Sequence, residues 1–182
     1  MRFRDVLAHV RHFGFVALDR LFLVQGRHGL FDVTSQGREH LMELARAKRG
    51  GILLGAHVGS FEAMHATSTT VDLQINIVGF FKNAAKINAV LTELDPTAHA
   101  RVIHIEPGNV NTVLTLKDRI AAGEMVAILG DRTGLNERSI EVDFLGGRAS
   151  FPSGPYLLAA LLDCPVYLVF GLYRGGNRYD LV

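Results

Sequence analysis

Residues 51–62 read GILLGAHVGSFE. The first six are apolar or glycine, a run of strand length with no polar face, as in a strand covered on both sides. A histidine then leaves the strand, a glycine follows, and a carboxylate stands near the start of a helical pattern at 60–69. The alternation continues outward. Short apolar runs recur at LQINIVG (73–79), RVIHI (101–105), MVAILG (125–130) and PVYLVFG (165–171), with helical patterns near 84–94, 110–122 and 154–163 between them. Strand and helix taking turns predict an α/β fold: a single domain with a mostly parallel central sheet flanked by helices. SIEVDFLG (139–146) alternates polar and apolar residues and follows its neighbour too closely for a crossover helix, so it is expected as an antiparallel or edge strand.

Toward the amino terminus, residues 4–24 place Val6, Leu7, Val10, Phe13, Ala17, Leu21 and Val24 at spacings of three and four, the pattern of one helical face. The expected organisation is an amphipathic helical segment over 1–30 and the α/β domain over 31–182. With Arg4, Arg11 and Arg20 beside Phe13, Phe15 and Phe22, this helix can either dock on the domain's own core or lie in a membrane interface, apolar side down. Thr34 or Ser35 is expected to cap a second helix, GREHLMELARAK, ended by Gly50-Gly51 with Arg46, Lys48 and Arg49 where the dipole favours cations. At the other end the sequence stops at Arg178–Val182 in strand-like residues, as expected of a fragment of a longer protein.

A chain of 182 residues, 48% hydrophobic and 20% charged, has room for one domain and too much core material for disorder. Its apolar runs fall far short of the ~20 residues needed to cross a bilayer. Cys164 is the only cysteine, which excludes an internal disulfide or a thiolate metal site and fits a cytoplasmic protein. The start, MRFRDVLAHVRHF, lacks the apolar core of a secretory signal. Residues 1–50 hold nine Lys or Arg against five Asp or Glu, a bias too small for nucleic acid but suited to anionic lipid head groups or to an ordinary solvated face.

In open parallel sheets ligands sit beyond the carboxyl ends of the strands, which directs attention to the residues after each apolar run. His57 and Glu62 come first: if Glu62 accepts a hydrogen bond from one ring nitrogen, the other is held ready to take a proton from an incoming hydroxyl. Asp131 and Arg132 follow MVAILG; Arg132 suits a phosphate, and Asp131 either orients it or serves as a cap or turn residue. The Gly/Pro-rich stretch FLGGRASFPSGP, with Gly146, Gly147, Arg148, Ser153 and Gly154, opens a helix whose free amides make an anion site.

Four blocks in this order resemble the lysophospholipid acyltransferase superfamily, and within it the late lipid A (lauroyl or myristoyl) acyltransferases. HVGSFE is similar to the first block, H-x4-D/E, in the glutamate form of the lipid A branch, with Ser60 for its usual Asn and Phe61 for Trp. GDRTG at 130–134 is similar to the second block, where the lipid A enzymes more often carry Asp-Gln. FLGGRASFPSGP looks like the third, with Ser153 replacing the superfamily's glutamate in F-P-E-G, and PVYLVF like the fourth. The likeness covers about residues 35–175. It implies the acyltransferase fold and, without a cofactor, transfer of an acyl group from an acyl carrier protein or CoA thioester to a hydroxyl or amine of a lipid or glycolipid. It further implies a peripheral place on the cytoplasmic face of the inner membrane. His57 would deprotonate the acceptor, Glu62 would orient His57, Arg132 would bind a phosphate of donor or acceptor, and the 146–154 amides would serve an anion or the oxyanion.

Two rivals remain at this level. His57, Glu62 and His65 read H-x4-E-x2-H, three ligand types that a metal-dependent hydrolase could use. The other rival is a non-catalytic module that binds lipid on the same scaffold. G-x-S-x-G, Walker A and G-x-G-x-x-G do not occur.

Overall fold

A computed structural model describes residues 2–60, 62–64, 74–79, 102–105, 110–133 and 138–182. Five strands, β2 (Gly51–Gly55), β3 (Ile75–Gly79), β4 (Val102–His104), β5 (Met125–Leu129) and β8 (Val166–Leu168), form one sheet in the order β4-β3-β5-β2-β8. Every pairing in it is parallel. The expected single α/β domain with a parallel sheet is therefore the one observed. The helices expected near 84–94 and over most of 60–69 lie outside the described residues, apart from a helical segment at 62–64.

Alternation along the strands sorts the core into two layers, because successive side chains point to opposite faces. Leu53, Ile75, Met125 and Ala127 pack with Leu44 of α2 (Arg38–Arg46). Ile52, Leu54, Val78, Val126 and Ile128 pack on the other face with Leu116 of α3 (Val110–Ala121), joined by Leu158 and Leu162 of α4 (Gly154–Leu162). Ile52, Met125 and Val126 are fully buried. Each contributes roughly 1.5–3 kcal/mol of apolar burial, which explains why uninterrupted apolar runs are what the central strands require.

A smaller sheet joins β1 (Asp32–Ser35), β10 (Arg178–Leu181) and β9 (Gly171–Gly175), with β1 parallel and β9 antiparallel to β10. This corrects the expectation for Thr34 and Ser35: they are strand residues, and the Thr34 hydroxyl donates to Asp180 at 2.7 Å instead of capping a helix. Gly37, with φ of 73°, is the N-cap of α2. The third core cluster, Leu23, Ala63, Tyr179 and Leu181, fastens the end of helix α1 (Phe3–Val24) to this sheet. Farther back along α1, Phe3, Leu7, Val10 and Phe13 are exposed. The end of the helix is thus docked on the domain, and the rest of its apolar face is bare. Among the described residues no helix is long and apolar enough to cross a membrane.

SIEVDFLG forms β6 (Ser139–Phe144), antiparallel to β7 (Gly147–Pro152), in a two-stranded hairpin. Leu145 and Gly146 both have positive φ, as a two-residue type I′ turn requires.

Candidate functional site

The register of the central sheet brings two of the expected residues together. Gly55 of β2 pairs with Leu129 of β5, and His57 and Asp131 each stand two residues beyond that pair. Adjacent strands run ~4.8 Å apart, so side chains leaving the same end at the same level come within contact range. The ladder runs one step past the strands through the Gly130 N–H to the Gly55 carbonyl at 2.9 Å. Beyond it the chain turns sharply, since the Val58 N–H bonds back to the Ala56 carbonyl at 2.7 Å in a three-residue turn centred on His57. His57 Nδ1 and Asp131 Oδ1 are 2.8 Å apart.

Close main-chain contact fixes this turn. Gly59 bridges to Gly171, and the Ser60 N–H donates to the Gly171 carbonyl at 2.7 Å. A methyl group at Gly59 would overlap the Gly171 carbonyl oxygen, and one at Gly171 would overlap that of Ser60. Only glycine also takes the φ of 77° at position 59 without strain. The fully buried Ser60 then starts the next helix, its Oγ accepting the Ala63 N–H at 3.1 Å as an N-cap does.

The imidazole partner is Asp131, whereas the expected partner was Glu62. The Glu62 carboxylate is turned to other groups: Oε1 lies 2.6 Å from Nε of Arg20 on α1, and Oε2 accepts a long hydrogen bond, 3.4 Å, from Ser60 Oγ. Asp131 in turn is occupied by His57, which differs from the alternatives of an Arg132 orienter or a cap. Burial raises the Asp131 carboxyl, but its hydrogen bonds with His57 and the charge of that ring outweigh burial and hold it below its ordinary value. An ionised Asp131 accepts, so the neutral ring satisfies the pair by donating from Nδ1 and keeps the Nε2 lone pair free for a proton.

Arg132 follows, exposed to solvent. The first turn of α4 borders the site, because a methyl group on Gly130 would stand 3.8 Å from Pro155 Cγ. Ser153 and Gly154 therefore lie where a helix amino terminus approaches the carboxyl end of β5. The Ser153 hydroxyl, however, donates to the Arg138 carbonyl at 3.0 Å and does not cap the helix. The rest of the expected anion loop is corrected. Gly146 is at the tip of the hairpin, and Gly147 and Arg148 are in β7, opposite Phe144 and Asp143 of the antiparallel β6. Arg148 reaches Glu141 and Asp143 of its own hairpin, at 3.3 and 3.5 Å.

Sequence reading missed Arg20 as a partner of Glu62, and nothing local could have revealed a contact between residues 42 positions apart. Ser60 carried a usable signal, a serine just ahead of a helical pattern. Beneath the small sheet and α2 lies a cavity of about 170 Å³ lined by Leu41, Leu53, Ile75, Ala127, Val169 and, two residues after Glu62, Met64. Among the described residues no three His, Cys, Asp or Glu side chains are grouped to hold a metal ion, and His65 lies outside those residues.

No curated protein gives a significant match to the chain. The family model for bacterial lipid A biosynthesis acyltransferases matches residues 16–182, from the docked half of α1 through β10. The chain belongs to that family, and membership implies acyl transfer to a lipid acceptor.

Proposed function

We propose that the protein transfers a fatty acyl group from an acyl carrier protein or CoA thioester to a hydroxyl or amine of a lipid or glycolipid, with His57 as general base. The observation that carries this reading is the 2.8 Å contact between His57 Nδ1 and Asp131 at the carboxyl end of the parallel sheet. Nε2 takes the proton of the acceptor O–H or N–H as its oxygen or nitrogen attacks the thioester carbonyl carbon. The tetrahedral intermediate collapses with cleavage of the C–S bond, and the imidazolium returns the proton to the departing thiolate. Asp131 holds the ring in the useful tautomer and stabilises the imidazolium. No covalent acyl-enzyme is needed.

The exposed Arg132, next to Asp131, is the cation that meets a phosphate on donor or acceptor in this reading, and the amino end of α4 beside Gly130 favours negative charge there. The apolar cavity lined by Met64, Leu53 and Ala127 is a seat for the acyl chain. The exposed Phe3, Leu7, Val10 and Phe13, with Arg4 and Arg11 on the same helix, support peripheral contact with an anionic bilayer at the cytoplasmic face of the inner membrane.

The test is lipid-extract mass spectrometry on cells making the wild type or His57→Ala at matched protein level. An acylated lipid present only with the wild type is expected, its mass shift giving the chain length and its fragments the acceptor. Identical extracts in a host shown to contain the acyl donor and a range of lipid acceptors would overturn the reading.

A further inference from the structure

The β6–β7 hairpin is amphipathic. Residues opposite one another in an antiparallel pair share a face, and so do alternate residues along each strand. The register therefore puts Ile140 with Phe151, Val142 with Ala149, and Phe144 on one side, which carries no charge. Ser139, Glu141, Asp143, Arg148 and Ser150 take the other, where Arg148 meets both carboxylates and the Ser150 hydroxyl donates to Ser139 at 3.3 Å. The polar face is thus satisfied within the hairpin, while Ile140, Val142 and Phe144 are exposed. A lone two-stranded hairpin is marginal in water, and an apolar sheet face ordinarily has a layer packed on it.

The tip carries the same signal. Leu145 is 92% exposed and has a φ of 51°. A type I′ turn favours Asn, Asp or Gly at this position, because a left-handed backbone is unfavourable for a side chain such as leucine. Neither solvation nor conformation in water accounts for a leucine there. The root of the hairpin lies beside the site: the Ser153 N–H donates to the Arg138 carbonyl at 2.9 Å, and the adjoining first turn of α4 borders Gly130, next to Asp131. Six paired residues carry the hairpin roughly 20 Å from that root.

Membership of the family implies a lipid acceptor, so the His57 end of the sheet must approach a bilayer. A protein partner would have to offer a hollow shaped to the tip, whereas a bilayer presents an apolar interior to any shape. An uncharged face with the charges confined to its reverse suits the boundary between acyl chains and head groups. We propose that the hairpin is a membrane footing separate from α1. It lies along the bilayer with Ile140, Val142 and Phe144 toward the acyl chains and Leu145 inserted among them, and so holds the His57 end of the sheet at the surface where a lipid acceptor stands. This rests on the acyl-transfer reading through its lipid acceptor.

The chain has no tryptophan, so single tryptophans report on their own surroundings. In the full chain, Leu145→Trp and Ile140→Trp place one at the tip and one on the apolar face, and Ser150→Trp places one on the polar face. Phe144→Trp replaces Leu145→Trp if that variant does not fold. With vesicles of phosphatidylethanolamine and phosphatidylglycerol, emission from the first two is expected to shift to shorter wavelength. Lipids brominated on their acyl chains are expected to quench it at least about threefold more strongly than in Ser150→Trp. The double variant Phe144→Ser with Leu145→Ser is expected to lower vesicle partitioning by about tenfold. Equal quenching at all three positions, no quenching at 140 and 145, or partitioning lowered by less than about twofold in the double variant would overturn the inference. So would a shift in Leu145→Trp without vesicles that grows with protein concentration, since a second copy would then cover the face.

The lipid-extract assay separates the two readings. Transfer by the wild type without quenching at 140 and 145 sinks the footing alone. Quenching there without transfer by the wild type sinks the acyltransferase reading and leaves the footing standing.

Discussion

Two pairs of neighbouring strands in this protein put similar residues to opposite use. In β2 and β5 every residue except Leu129 is buried, the strands run parallel, and the level at which they end sets His57 against Asp131. In β6 and β7 the strands run antiparallel, Ile140, Val142 and Phe144 are exposed, and the ion pairs of Arg148 close on the hairpin's own carboxylates. The first pair has helices on both faces, and its rigidity passes to the side chains at its end. The second has no such cover among the described residues, so its charges are screened and its apolar face adds little to the fold.

The largest test of this contrast compares two aspartates that each pair with a base. Asp131→Asn should lower acyl transfer by about 10³-fold, the scale of a lost general-base pair, with the fold intact. Asp143→Asn, which frees Arg148 from one of its hairpin partners, should change transfer by less than about twofold. Initial rates on the donor and acceptor found by mass spectrometry decide it, and equal losses would mean that the hairpin belongs to the site.

Next in size is stability. Leu116→Ala removes a side chain only 2% exposed under the sheet, and should cost about 2–5 kcal/mol in urea unfolding. Ile140→Ala in the hairpin, 48% exposed, should cost less than about 1 kcal/mol. A large loss at Ile140 would show that something covers that face in solution.

The same contrast explains what was legible in the sequence. Runs such as MVAIL and GILLG declare a covered parallel strand because burial on both faces leaves no polar positions, and the order of strand and helix gives the fold class. Thr34 and Ser35 misled because a hydroxyl residue ahead of a helix reads as a cap, and only the distant Arg178–Leu181 makes that segment a strand. The stretch FLGGRASFPSGP reads as a loop for its glycines and prolines, although Leu145-Gly146 is a hairpin turn and Arg148–Pro152 pairs with Ser139–Asp143. His57 and Asp131 were both visible as candidates, each just past an apolar run. That they face each other depends on sheet order β5-β2 and its register, which no local pattern encodes. Glu62, close in sequence to His57, was the obvious partner, yet a capped helix start turns it toward α1.

A third comparison sets one glycine in the site against one at the hairpin tip. Both Gly59 and Gly146 have positive φ, so alanine strains either backbone by roughly 1 kcal/mol. Around Gly146 there is nothing within 4 Å of an added methyl group, whereas at Gly59 it meets the Gly171 main chain. Gly59→Ala should therefore destabilise by more than Gly146→Ala, and should alone disturb transfer, because the displaced turn carries His57. Thermal melts and initial rates on both variants check this.

The smallest effect concerns acid. The Asp131 carboxyl is lowered in the folded protein relative to its ordinary value of 3.8, burial working against the shift and the His57 contacts prevailing. A depressed carboxyl binds protons less tightly when folded than when unfolded. Its stabilising contribution is therefore complete above the ordinary value and drains away as the pH falls through the lower, folded one. The stability difference between wild type and Asp131→Asn should accordingly shrink as the pH falls below the ordinary carboxyl range. The exposed Asp180, lowered by its hydrogen bonds with Thr34 and Arg174, titrates in the same direction in both proteins and cancels from the difference. A difference that grew as the pH fell below the ordinary carboxyl range would mean that burial, not His57, governs Asp131, and the pair at the end of β2 and β5 would lose its claim to orient the base.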